Sequence, residues 1–180
     1  VQQRQRRMWL ARRVEIISSS PHARRPPCIL ARDCGGCSLQ HLSVEAQNNW
    51  KQERLTNTLT RIGQLDPDVN ALVSPDQESL GYRNRALIPV RRDGLKVRLG
   101  YYKRGSHRIV NLNHCPVLDP RLDALIAPIK QDLESTSWPM DSDLQGDPGL
   151  RHLGLRIGVR TGEVLITLIS ATRTLQGVEA

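Results

Sequence analysis

Three cysteines within ten residues, Cys28, Cys34 and Cys37, with a fourth at Cys115, constrain this chain more than any other feature. A C-x2-C pair lets two thiolates converge on one soft metal centre, and Gly35-Gly36 between them gives the backbone room to wrap closely. Cys28 and the distant Cys115 would complete a four-thiolate shell. Such a shell pins the loop 28–37 beside whatever element ends at 115, so the fold must bring two remote segments together.

Two occupants make chemical sense, a 4Fe–4S cluster and a structural zinc ion. Zinc sites usually draw on two short knuckles and this chain has one, although His41 and His114 lie near cysteines and keep zinc open. Cys115-Pro116 leans toward the cluster, because the bacterial ferredoxin cysteine run also ends in Cys-Pro. Disulfides are the third possibility: four cysteines allow three pairings, but no secretory signal accompanies them, and a chain of 180 residues needs no covalent staple.

The apolar fraction is 38 %, with six aromatic residues and no Phe, so the core is aliphatic and thin, which argues against an aromatic-rich sandwich or barrel. No stretch approaches the roughly 20 apolar residues of a bilayer span, and the N-terminus lacks an apolar signal core. A cytoplasmic protein without a membrane partner is expected. The chain begins with Val1, which suggests a fragment or a processed product.

Residues 1–20 are arginine-studded and carry Val14-Glu15-Ile16-Ile17, which reads as the last strand of a module that begins upstream. Pro21 and Arg24-Arg25-Pro26-Pro27 make 21–27 an extended linker. Ser43 can cap a helix running to about Ile62 with Gly63 at C′; its stripe of Val44, Leu55, Leu59 and Ile62 is narrow and suits a neighbouring domain or a single layer. From Tyr82 the period changes to two. A strand over 86–90, a turn at Asp93-Gly94, a strand alternating Leu95, Val97, Leu99 and Tyr101, and a third strand from about His107 to Leu112 carry the chain into Cys115. Pro89 places its nitrogen at a sheet edge or bulge. Asp119-Pro120 opens a second helix with Leu122, Leu125, Ile126, Ile129 and Leu133 facing the core. Residues 135–149 read as an acidic surface loop, and strands near 150–159 and 163–170 meet at Thr161-Gly162. The sum is an α+β fold, a central antiparallel sheet with two helices.

Charge is polarised. The chain holds 26 Lys and Arg, 22 of them Arg, against 18 acids, a net +8 that favours a polyanionic partner. Residues 83–108 carry nine cations and one acid, whereas 119–147 carry two cations and seven acids. Within the first block, and beside Tyr101, Tyr82, Arg83, Arg85, Arg98, Tyr102, Arg104 and His107 combine phosphate neutralisation with stacking surface, as single-stranded RNA binding requires. The competing explanation is a solvated hairpin whose charges protect its edges. His107 and His152 have no nucleophile or carboxylate at informative spacing.

The run Cys28-x5-Cys34-Gly35-Gly36-Cys37-x2-Gln40-His41 is followed by Gln47, Lys51, Gly81-Tyr82-Arg83-Asn84-Arg85, Gly100-Tyr101-Tyr102, Gly105-Ser106-His107 and Cys115-Pro116-Val117. Together these residues resemble the RNA uracil-C5 methyltransferase family, in particular the iron–sulfur type that makes 5-methyluridine in 23S ribosomal RNA. The resemblance covers nearly all of 28–170. It implies that Cys28, Cys34, Cys37 and Cys115 hold a 4Fe–4S cluster. It implies three parts: a TRAM-type β-barrel, of which 1–20 would be the C-terminal remnant; a central cluster-bearing α+β domain at 28–174; and a catalytic domain binding S-adenosylmethionine, absent here, toward which 175–180 would lead and on which helix 43–63 would pack. Uracil-C5 methylation needs a cysteine thiolate to attack C6 and a base to remove the C5 proton. The family keeps both in the domain this chain lacks, so the chain alone is expected to be inactive, with no catalytic residue and no S-adenosylmethionine contact of its own. A ribosomal RNA partner and a monomer are expected. The alternatives are a free-standing RNA-binding module stabilised by zinc or a cluster, and, further off, an electron-transfer protein, which the cysteine spacing and basic surface disfavour.

Overall fold

The computed structural model describes residues 2–6, 8–73, 80–141, 143, 148–172 and 175. Its centre is a four-stranded antiparallel sheet of β3 (Arg85–Asp93), β4 (Lys96–Leu99), β5 (Leu150–Ile157) and β6 (Val164–Ser170), in the order β4-β3-β5-β6. A separate two-stranded hairpin, β1 (Gln3–Arg4) with β2 (Trp9–Leu10), precedes it. The helices are α1 (Val44–Arg61), α2 (Pro120–Asp123) and α3 (Ile126–Ser135). The fold is α+β, as the residue pattern implies.

Alternation decides which sheet face is buried. Ala86, Ile88 and Val90 of β3, Val97 and Leu99 of β4, and Leu153, Leu155 and Ile157 of β5 are all buried, and Leu122, Ile126 and Leu133 of the helices close over them with Leu112, Val117 and Leu118. The core is aliphatic throughout.

Several elements differ from the sequence expectation for identifiable reasons. The single helix over 120–133 is broken at Ala124-Leu125. Pro128 is the cause: it has no N–H for the Ala124 carbonyl and its ring would crowd that carbonyl, so the helix restarts with Pro128 in its first turn, where no donor is needed. Residues 107–112 form no ladder strand; one bridge, Tyr102 to Ile109, and the bonds Val110 N–H to Tyr101 O (2.9 Å) and Leu112 N–H to Leu99 O (2.7 Å) lay this segment along the end of β4. Residues 14–17 are not a strand, and Val14, Ile16 and Ile17 are exposed. The hairpin turn is Gly94-Leu95, one residue later than expected, and Gly94 takes the positive φ (61°) that a II′ turn demands at its first position. The 135–149 stretch is more than a surface loop, since Met140 is buried and Arg91 bridges Asp141. Residues 142, 144–147, 173, 174 and 176–180, including the expected boundary at 174 and most of the connection at 175–180, lie outside the described residues.

Pro89 lies in an interior strand, yet its missing donor is harmless. The β3–β4 ladder ends at Val90 opposite Leu99, and Pro89 only accepts, from Gly100 N–H at 3.2 Å. Gly100 itself is required. A Cβ there would sit 1.9 Å from the Val110 carbonyl oxygen, so the crossing of 109–112 over this strand end exists only because residue 100 has no side chain.

Folding also mixes the two charge blocks. Arg98 pairs with Asp93 (2.7 Å), but Arg91 pairs with Asp141 (3.6 Å), Lys96 with Glu134 (3.5 Å) and Lys103 with Asp33 (2.8 Å). Arg92 turns inward, giving hydrogen bonds to the carbonyls of Leu133, Thr136 and Trp138 and so capping the C-terminal end of α3. The hairpin is therefore not the acid-poor face its sequence suggests.

Three expectations follow. Gly100→Ala lowers stability by about 2 kcal/mol or more in chemical denaturation, because backbone must move. Arg92→Ala costs about 2 kcal/mol by taking the guanidinium donors away from three carbonyls at the end of α3, while Arg98→Ala, an exposed pair, costs under about 1 kcal/mol. Third, the side-chain and backbone donors of Arg121 hold the Asp119 carboxyl below the usual carboxylate range, and the Val97 N–H does the same for Glu134. A depressed folded pKa gives stability that is present above the unfolded value and lost as pH falls through the folded one. Urea midpoints should fall slightly from about pH 7 to 5, because burial lowers the His152 pKa and the unfolded chain takes up its proton first, and drop further below about pH 4, with a shallower acid limb in the Asp119→Asn, Glu134→Gln variant.

Candidate metal centre and nucleic-acid interface

The cysteine loop is seated by backbone contacts. Gly35 N–H donates to the Tyr102 carbonyl at 2.8 Å, and a Cβ on Gly35 would lie 2.7 Å from that same oxygen. A Cβ on Gly36 would lie 3.2 Å from the Tyr101 ring and 3.4 Å from Cys34 Sγ, and the Gly36 N–H points at that sulfur (3.4 Å). Lys103 to Asp33 and Arg104 Nη2 to the Cys37 carbonyl (2.5 Å) fasten the flanks. On the far side, Cys115 N–H donates to Asp123 Oδ1 (2.6 Å), tying its position to α2.

The result is one tight pocket whose wall contains Cys28, Cys34, Cys37 and Cys115, together with Gln40, Arg83, Tyr101 and Leu112. All four thiols are free, and Cys34 and Cys115 are buried. Burial pushes both of these thiols up in pKa; for Cys34 the Gly36 N–H opposes it, and for Cys115 the N–H groups of Val117 and Leu118 do. Metal binding there must release protons, so it tightens as pH rises. Among the described residues no three His, Cys, Asp or Glu side chains form a group of the kind that holds a single ion. Neither histidine considered for zinc lines the cavity: His114 is engaged by Asp123 and His41 borders a different cleft.

Tyr101 is the residue that sequence reasoning undervalued. The sequence sets it with Tyr82 and Tyr102 as an aromatic among the cations. Instead it forms wall of the cysteine cavity, with the Arg83 guanidinium 5.9 Å from its ring centroid; burial raises its pKa, opposed by Arg83. The glycines pressed around it were the available signal.

The proposed RNA-contacting residues do not form one face. Tyr102, Arg104 and His107 line an open shelf over Gly35 and Gly36, with the Tyr102 and His107 rings 5.4 Å apart and both held by Asp143 (3.3 and 3.1 Å). Arg83 and the exposed Tyr82 border a second hollow beside Cys37 and Gln40. Arg85 and Arg98 stand apart: Arg98 is opposite Arg91, six residues along β3 from Arg85, roughly 20 Å of strand.

No family-wide sequence profile matches the chain. Individual proteins do. It is 60 % identical over 173 residues to an uncharacterised RNA methyltransferase of Parasynechococcus marenigrum, covering 95 % of this chain and 37 % of that protein. It is 44 % identical over 140 residues to the 23S rRNA (uracil(1939)-C(5))-methyltransferase RlmD of Halomonas elongata, covering 77 % and 29 %. Among solved structures, the Pyrococcus abyssi tRNA (uracil-54, C5)-methyltransferase in complex with S-adenosyl-L-homocysteine superposes with a TM-score of 0.64 at 26 % identity, over 91 % of this chain and 36 % of that one. The chain thus spans about a third of the length of these relatives. Sequence and fold agree: this chain is similar to part of RNA methyltransferases, among them enzymes named for uracil C5.

Proposed function

We propose that this chain is the RNA-holding, iron–sulfur-bearing region of a longer S-adenosylmethionine-dependent methyltransferase that acts on uracil C5 in 23S ribosomal RNA. The observation that carries the reading is the convergence of four free cysteines from two remote segments on one cavity, beside the shelf of Tyr102, Arg104 and His107. Four soft donors with amide N–H groups aimed at their sulfurs suit an iron–sulfur cluster. Bound to Cys28, Cys34, Cys37 and Cys115, a cluster supplies a structural tie between loop 28–37 and the segment ending at 115, since methyl transfer requires no electron from it.

The other residues hold the substrate. Arg83 and Arg104 neutralise phosphates near the loop, Tyr82 and Tyr102 offer faces to unpaired bases, and His107 is oriented by Asp143. S-adenosylmethionine and the attacking thiolate belong to the rest of the full-length protein; every cysteine here lines the cavity, so this chain alone transfers no methyl group. Two exposed apolar surfaces support an additional domain. Trp50, Leu55 and Ile62 of α1 and Leu165, Ile166 and Ile169 of the edge strand β6 are uncovered. The shared activity and the cofactor of the structural relative support the methyltransferase reading, and a ribosomal RNA partner with a monomeric protein goes with it.

Anaerobically purified chain should be brown, with about four irons, and lose its colour in air or on Cys→Ser change at any of the four positions. A colourless protein with one zinc sinks the cluster. Single-stranded RNA should bind with an affinity that falls steeply with salt, and Arg83→Ala or Arg104→Ala should weaken it about threefold to tenfold; binding indifferent to salt counts against the RNA role.

A further inference from the structure

A second cleft, of about 890 Å³, lies outside the shelf and outside the basic hairpin. One wall is the extended segment from Arg13 to Pro26 and the other is the back of the cysteine loop with His41 and Leu42. The walls are strapped together: Arg24 N–H donates to the His41 carbonyl (2.8 Å), Ser43 N–H to the His22 carbonyl (2.8 Å), and Arg24 Nε to the Gln40 carbonyl (3.2 Å). Arg13, Arg24, Arg32 and Arg104 line it against one acid, Glu15, and none of these four arginines has an ion-pair partner among the described residues. Ile16, Ile17 and Leu42 give it an apolar floor. Arg104 also belongs to the Tyr102–His107 shelf, so cleft and shelf are continuous through one guanidinium.

We propose that this cleft is a track for single-stranded RNA that leads an unpaired strand across the back of the cysteine loop onto the shelf, with Arg13, Arg24, Arg32 and Arg104 on successive phosphates. The proposal rests on the reading that this chain holds RNA, and it adds a site that the basic hairpin does not include. A row of guanidinium groups over an apolar floor matches a strand whose charge is on its backbone and whose base faces are apolar. An A-form duplex turns its bases inward and offers nothing to such a floor, so the ligand is an unpaired strand.

The test is fluorescence anisotropy of a labelled single-stranded RNA oligonucleotide on the whole chain at several salt concentrations, comparing the unaltered protein, the double variant Arg13→Gln, Arg32→Gln, and Arg160→Gln as a control for bulk charge. The double variant should bind about tenfold or more weakly, with a log–log salt slope shallower by about 1.4, twice the increment of about 0.7 per phosphate contact on single strands. RNA carrying 4-thiouridine should crosslink to residues 13–26 as well as to 101–107. If the double variant keeps the affinity and slope of the control while Arg104→Gln loses binding, the track is wrong and the shelf reading stands. If the unaltered chain binds no RNA at low salt, the RNA reading itself fails and the track with it. Equal displacement of the RNA by polyglutamate of matched charge marks a generic anion cleft and overturns the proposal. Circular dichroism of the double variant, expected to be unchanged, keeps a folding defect from imitating success, and crosslinks confined to 101–107 on the unaltered chain count against the track without any substitution.

Discussion

The hydrogen bond from Gly35 N–H to the Tyr102 carbonyl, closed to any side chain by the same oxygen, is the contact on which the arrangement of the site depends. It seats the cysteine loop on the strand end 101–104. From that seat Cys34 becomes buried, Gly36 presses against Tyr101, and Arg104 reaches the Cys37 carbonyl. The other side of the same strand end is occupied by 109–112, admitted by Gly100, and this second crossing delivers Cys115. Two glycine contacts on either side of one short stretch therefore gather four thiols by backbone packing.

Charge takes on a different meaning once the chain is folded. Read along the sequence, nine cations and one acid over 83–108 describe an RNA-binding face. In three dimensions the acidic stretch returns to pair with two of these cations, Arg91 and Lys96, and the half-buried Arg92 turns to cap a helix. Around the cysteine loop and the segment that leads into it, Arg13, Arg24, Arg32 and Arg104 have no ion-pair partner among the described residues.

What could be read from residues alone follows from the range of the forces involved. The strands of the sheet were legible because alternation is local, and α1 because Ser43 marks its start with a cap that accepts from Ala46 N–H. The four-cysteine set was legible because ligand chemistry restricts residue type. The break at 124–125 was legible in principle, since Pro128 announces it four residues later. The bridge of Arg91 to Asp141, the burial of Met140 and the loss of a true strand at 107–112 depend on which segments meet, and no periodicity encodes that. The place of Tyr101 depends on the same thing: its sequence sets it among the aromatics of the basic stretch, and only the path of the cysteine loop makes it cavity wall.

The crossing at Gly100 has a consequence in time. The β3–β4 hairpin closes through neighbouring residues, and the segment carrying Cys115 follows soon after in sequence. Loop 28–37 must then close over a far longer span, a cost that grows only with the logarithm of its length but is met before any thiol is shared. During synthesis three cysteines are made early and remain solvent-exposed until the hairpin exists to receive them. An incomplete three-thiolate loop has little means of telling one soft metal ion from another. On the proposed cluster reading, selection among metals falls to the completed pocket, and the glycines that permit its closure take part in metal choice without touching the metal.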